Sequence, residues 1–166
     1  WVEVSSSIGR GSTFQVFFPA TERLAETGSD LPLGPSESDR PHTILIVEDD
    51  EAVRALVKEI LTHHGYRVME AENADAALRV WSTHRNEVEL LLTDMVMPGS
   101  SNGLQLSRRL LADRPDLRVI YTSGYSTELF SSDVHLEDGV NYLPKPYLSS
   151  KLIKILRNAL NVPQLV

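Results

Sequence analysis

Ile44-Leu45-Ile46-Val47-Glu48-Asp49-Asp50-Glu51, followed downstream by Leu90-Leu91-Leu92-Thr93-Asp94, decides the fold of this chain. In both stretches an unbroken apolar run stops abruptly at carboxylates. A strand with one wet face would alternate polar and apolar residues. A continuous β-branched or leucine run instead marks a strand buried on both sides, the situation of a parallel sheet covered by helices.

The segments around these runs alternate accordingly. After the first strand, Val53, Leu56, Val57 and Ile60 recur at helical spacing as far as His63-His64-Gly65. Tyr66 to Ala71 reads as a second strand, and Ala74, Ala77, Leu78 and Trp81 as a second helical stripe. A third helix carries Leu104, Ser107, Leu110 and Leu111. Leu117 to Tyr121 and Val140 to Leu143 form the fourth and fifth strands, and Leu152, Ile155, Leu156 and Ala159 mark a closing helix. Strands alternating with helices, joined by right-handed crossovers, predict an α/β fold: a doubly wound five-stranded parallel sheet with helices on both faces. Between the fourth and fifth strands, Tyr125 to Gly139 shows little periodicity and is expected to hold a short helix and loop.

Three zones follow from composition. Residues 1–20 contain two β-rich pieces, Trp1 to Val4 and Thr13 to Phe18, joined by a longish Ser/Gly turn through Gly9 and Gly11, and predict a β-hairpin. Residues 21–42 are rich in Ser, Glu, Asp, Pro and Gly and read as a flexible linker. Residues 43–162 carry the α/β pattern. The chain opens on Trp1 rather than Met, which suggests a piece of a longer protein. A net charge of −7 argues against a nucleic-acid surface, which needs clustered Lys and Arg. Without cysteine, disulfides and thiolate metal sites are excluded. No apolar run approaches the ~18 residues of a membrane span, so the segment is expected to be soluble and cytoplasmic, with no membrane partner.

In an open parallel sheet, ligands sit beyond the carboxyl ends of the strands. Glu48–Asp49, Asp94, Ser123 and Lys145 each follow a different strand at that edge. With a strand order of 2-1-3-4-5 the first and third strands are neighbours, so three carboxylates converge and their repulsion calls for a cation. Oxygen donors without His or Cys point to Mg²⁺. Asp94 is the natural nucleophile, since a carboxylate can form an acyl phosphate. Asp49 would bind the metal directly, Glu48 through a water, and the backbone carbonyl of Val96 would be a further ligand. Lys145 supplies a point charge for phosphoryl oxygens, and Ser123 a hydrogen bond. Any one of these residues alone would be an ordinary surface group. Their joint placement at one sheet edge carries the reading.

Thr43 to Leu160 resembles a response-regulator receiver domain of two-component signalling. The matching residues are Ile-Leu-Ile-Val-Glu48-Asp49-Asp50-Glu, Thr-Asp94-Met-Val-Met-Pro98-Gly, Tyr-Thr-Ser123-Gly124-Tyr and Tyr142-Leu-Pro-Lys145-Pro146-Tyr. The resemblance, through the position of Arg54, aligns Glu48 and Asp49 with the family's acidic pair and leaves Asp50 outside it. It implies the flavodoxin-like strand order 2-1-3-4-5, a cis bond between Lys145 and Pro146, and Tyr142 as a rotating switch coupled to Ser123. Its implied partner is a phosphohistidine-bearing kinase dimerisation or phosphotransfer domain. Two departures stand out. The loop after Asp94 is one residue longer than the commonest form, and the degraded fourth helix puts a DNA-binding-type dimer through it in doubt.

The hairpin resembles the last one of a histidine-kinase ATP-binding domain, through Trp1-Val-Glu-Val, Gly9-Arg-Gly11-Ser-Thr-Phe14 and Phe-Phe-Pro19. That places the receiver at the carboxyl end of a hybrid histidine kinase, although this piece lacks what ATP binding and kinase activity need. An oligomer through the orphan hairpin is open. The five histidines lack a phosphodonor motif, and His63 and His64 read as helix caps. The resulting expectation is a Mg²⁺-dependent phosphoacceptor that takes a phosphoryl group on Asp94 and later loses it to water or to another histidine. The alternatives are a pseudo-receiver acting only as a binding module, and a small phosphatase or flavin-binding domain. Val96 stands where an Asp phosphatase usually has a second acid, and no phosphate-cradling glycine loop follows the first strand.

Overall fold

The computed structural model describes residues 1–18, 40–97, 101–124 and 134–161. The chain divides into two units, Trp1–Leu31 and Pro32–Val166. In the first, β1 (Val2–Ser7) pairs antiparallel with β2 (Gly11–Val16), in a register that sets Val2 opposite Val16 and Val4 opposite Phe14. The expected longish loop is a tight turn over 8–10, because Ser5 to Ser7 extend the ladder and Ser6 Oγ bonds Ser12 Oγ at 2.8 Å. Gly9 closes the turn at φ +77°, a conformation that costs a residue with a Cβ about 1 kcal/mol.

The second unit runs β3 (Thr43–Val47), α1 (Glu51–His63), β4 (Arg67–Ala71), α2 (Ala74–His84), β5 (Val88–Asp94), α3 (Gly103–Asp113), β6 (Arg118–Ser123), β7 (Tyr142–Pro144) and α4 (Ser149–Asn161). Its sheet has the order β4-β3-β5-β6-β7 with every pairing parallel. Counted within that sheet, this is the expected 2-1-3-4-5.

Strand alternation divides the core. Ile44, Ile46, Leu90, Leu92 and Ile120 face one way, against Val57 and Leu61 of α1 and Leu152, Ile155 and Leu156 of α4. Leu45, Val47 and Leu91 face the other, against Ala74, Ala77 and Trp81 of α2 and Leu106 and Leu110 of α3. Full burial of each Leu or Ile stabilises by roughly 1.5–3 kcal/mol, so the two layers fix the sheet between its helices.

The helices begin where side chains cap them. Asp50 accepts from the N–H groups of Ala52 (2.9 Å) and Val53 (3.0 Å). Asn102 and Gln105 form a reciprocal capping box at α3. At the other end of α1, His64 Nδ1 lies 2.8 Å from the Ile60 carbonyl, in keeping with a capping role.

Three details differ from the sequence expectation. Leu56, placed on the apolar stripe of α1, is 57% exposed, because Val57 and Leu61 define the buried face. The fifth strand begins at Tyr142 rather than Val140. The Glu137 carbonyl takes the N–H groups of Val140, Asn141 and Tyr142 in a turn, which leaves Val140 outside the ladder. Asp94 and Ser123 end their strands rather than follow them, since Asp94 still pairs with Thr122 and Ser123 with Pro144. The lengthened loop at 98–100 and most of the weak segment, 125–133, lie outside the described residues.

Candidate functional site

The carboxyl ends of β3, β5, β6 and β7 bring the chemistry together. Val47 pairs with Thr93, so Glu48 and Asp94 are adjacent at the edge of two neighbouring strands. The Glu48 N–H is held by the Ala71 carbonyl at 3.1 Å, and the Lys145 N–H by the Ser123 carbonyl at 2.8 Å. The backbone therefore continues its parallel pairing into the site and fixes where these side chains start.

Lys145 Nζ lies 2.6 Å from Asp94 Oδ2 and 2.6 Å from Glu48 Oε2. The other oxygen of Asp94, Oδ1, accepts the N–H of Val96 at 2.9 Å. Glu48 and Asp94 are buried, at 5% and 7% exposure, while Asp49 faces solvent. One ligand oxygen from each of Glu48, Asp49 and Asp94 lies within 4.8 Å of the others. The Asp50 carboxylate is absent from this group because it caps α1 instead.

Three carboxylates against one ammonium leave the pocket with excess negative charge. Burial pushes the Glu48 carboxyl above its usual range, and the hydrogen bond and charge of Lys145 pull against it. For Lys145, burial disfavours the ammonium, but the hydrogen bonds to Asp94 and Glu48 outweigh it and raise its pKa. The donor set is all hard oxygen, partly buried and net negative, and so fits a divalent cation such as Mg²⁺.

Ser123 is buried at the end of β6, one residue past the register partner of Asp94. The Lys145–Pro146 bond is cis. Tyr142 is 5% exposed and packs with Met95, Leu104 and Tyr121.

Two contributors escaped the sequence reading. Arg54, used there only to set register, donates from Nη1 to the carbonyls of Glu48 (2.7 Å) and Asp49 (3.4 Å), and so clamps the acidic turn. Gly103 opens α3 against the backbone of Asp94: a Cβ built there would lie 2.0 Å from the Asp94 carbonyl oxygen. The Asn102-Gly103-x-Gln105 pattern was the available signal for a helix start, but nothing local shows what that start abuts.

The family model described as "Response regulator receiver domain" matches residues 44–157. Over 170 aligned positions, 96% of this chain, the sequence is 31% identical to the sensor kinase CckA of Brucella abortus (strain 2308). It is 35% identical over 119 residues, 72% of this chain, to the DNA-binding transcriptional regulator NtrC of Azospirillum brasilense. The chain spans 18% and 24% of the lengths of these two relatives. Among solved structures, a response regulator receiver domain protein from Clostridium thermocellum aligns with a TM-score of 0.63 and 26% identity, covering 72% of this chain and 94% of that one. Among the described residues, no helix is long and apolar enough to cross a membrane.

Proposed function

This chain belongs to the response regulator receiver family of two-component signalling, and on that premise we propose that Asp94 accepts a phosphoryl group from a phosphohistidine. One observation carries the reading: Asp94 is buried with one oxygen on the Val96 N–H and the other on Lys145, beside two further carboxylates.

In the proposed step a carboxylate oxygen of Asp94 attacks phosphorus, the P–N bond to the donor imidazole breaks, and the leaving nitrogen recovers a proton from solvent. An acyl phosphate remains on Asp94. Lys145 exchanges its contact with Asp94 for the incoming phosphoryl oxygens, and the Ser123 hydroxyl donates to one of them. These groups position and neutralise charge, which is most of what phosphoryl transfer requires. Asp49 and Asp94 would hold Mg²⁺ directly, with Glu48 through a water and the Val96 carbonyl as a further ligand. When bound, the ion offsets the charge that develops between the carboxylates and the phosphoryl group. Hydrolysis or passage to another histidine then clears the site. Tyr142 would then be the switch residue, rotating in response to Ser123 when the site is occupied.

The similarity to a sensor kinase spans 96% of this chain, whereas the match to the transcriptional regulator spans 72% of it. This supports reading 1–20 as the tail of a kinase ATP-binding domain, 21–42 as a linker and 43–162 as the receiver of a hybrid kinase.

Incubation with acetyl phosphate and Mg²⁺ tests the phosphoacceptor. The expected result is a mass gain of one phosphoryl group in the wild type, lost with EDTA and absent in Asp94→Asn. A wild type that gains nothing and does not bind beryllofluoride supports the pseudo-receiver instead.

A further inference from the structure

A buried hydroxyl pair lies one layer below the site. Tyr121 stands two residues before Ser123 on β6, opposite Tyr142 of β7. Its ring belongs to a small apolar cluster with Met95, Leu104 and Tyr142. Each member comes from a segment that touches the phosphoacceptor region. Met95 follows Asp94 and donates its N–H to the Thr122 carbonyl at 2.8 Å. Leu104 follows Gly103, the residue whose backbone abuts the Asp94 carbonyl.

A phenol hydroxyl in such a cluster needs a partner, because an unmet one costs about 1–3 kcal/mol. Ser107 of α3 provides it: Ser107 Oγ lies 2.8 Å from the Tyr121 hydroxyl and 2.9 Å from the Leu104 carbonyl. A serine has one hydroxyl hydrogen, and the carbonyl can only accept, so that hydrogen goes to Leu104 and Tyr121 is the donor to Ser107. The resulting chain runs from the Tyr121 O–H through Ser107 to the Leu104 carbonyl. It ties the strand that carries Ser123 to the first turns of α3, and both Tyr121 and Ser107 are buried.

We infer that Tyr121 and Ser107 are positioning residues that transmit a displacement of Ser123 to the amino-terminal half of α3, so that this helix belongs to the surface that changes when Asp94 is occupied. The inference rests on the phosphoacceptor reading of Asp94 and deepens it. The physical basis is directional. Apolar packing between β6 and α3 tolerates sliding, whereas a two-bond hydroxyl relay breaks when its ends separate by a fraction of an ångström. A shift at Ser123 therefore moves the first turns of α3 or severs the relay. The exposed side of those turns includes Gln105, Arg108 and Arg109.

Beryllofluoride with Mg²⁺ is the probe, followed by amide NMR. Wild type is expected to show shifts at Gln105, Arg108 and Arg109 as well as at Ser123 and Tyr142. Tyr121→Phe keeps the ring and Ser107→Ala keeps the volume nearly constant. In each, beryllofluoride affinity stays within about twofold and the Tyr142 response persists, while the α3 shifts fall by about half or more. If Ser107→Ala does not fold, Tyr121→Phe alone decides. α3 shifts that survive removal of the relay, or a wild type that binds beryllofluoride with α3 silent, overturn the inference and leave the phosphoacceptor intact. A wild type that does not bind at Asp94 at all overturns both.

Discussion

Replacing Gly103 with alanine tests how the helix start supports the phosphoacceptor. Gly103 is not at a positive φ, so backbone strain plays no part, and alanine should favour the helix by up to about 1 kcal/mol. Space decides the matter. The added Cβ would meet the Asp94 carbonyl oxygen at 2.0 Å, its carbon at 2.9 Å and Thr93 Oγ1 at 2.9 Å, where real Cβ contacts stay above 3.0 Å. Two of these three atoms are backbone of β5, itself fixed between β3 and β6. The start of α3 must therefore retreat by about 1 Å, an overpacking cost at the top of the usual range, roughly 3 kcal/mol. For a domain of this size that lowers Tm by on the order of 10 °C. A shift of that size beside a reacting carboxylate should weaken beryllofluoride binding or slow phosphorylation about 100-fold. Differential scanning fluorimetry and a beryllofluoride titration read the two effects. Gly65→Ala is the control: Gly65 sits at φ +83° with open space, so it should cost about 1 kcal/mol of conformational strain and leave binding untouched. A Gly103→Ala protein that melts within 3 °C of wild type and binds normally would refute the close-approach argument.

Asp50→Ala removes the α1 cap and should destabilise by about 1 kcal/mol in urea unfolding, with Mg²⁺ affinity within about twofold of wild type. A large loss of Mg²⁺ binding would count against a purely capping role for Asp50. Lys145→Ala leaves Glu48 and Asp94 buried without their ammonium, at a cost of about 2 kcal/mol after allowing for the partial exposure of Lys145. Added Mg²⁺ should then raise the Tm of the variant more than that of wild type, and equal increments would count against charge compensation. Burial holds the Tyr147 phenol neutral and raises its pKa to about 12, above the ~10 of an unfolded chain. That stabilisation is fully present below about pH 10 and fades as pH rises from there through 12. Stability measured between pH 8 and 11.5 should accordingly fall less steeply in Tyr147→Phe than in wild type, by a margin of order 2 kcal/mol. Parallel curves would show that Tyr147 ionises without hindrance.

Much of the fold is legible in residue order because its signals are local. Ile44 to Val47 and Leu90 to Leu92 announce buried strands by apolar continuity alone, and Val57 with Leu61 or Ala77 with Trp81 mark helix faces by spacing. Where competing local bonds act, the reading slips. The Glu137 carbonyl gathers three N–H groups and delays β7 by two residues, and three serines lengthen the hairpin ladder beyond its apolar part. The chemistry was legible in kind, since carboxylates at the ends of apolar runs and a lysine between prolines stand out without coordinates.

By itself, the sequence determined the alternation of strands and helices, the residue types at one sheet edge and the exclusion of thiolate chemistry. Tertiary structure decided which groups meet. Glu48 reaches Lys145 across 97 positions of chain, Asp50 turns to cap α1 while its neighbour Asp49 joins the acidic cluster, and Tyr121 finds Ser107 on another element. Apolar period fixes which face a residue takes, because that depends only on its neighbours along the chain. Which side chains touch depends on strand order, register and the crossovers between them, and those are set by packing the whole sheet between its helices.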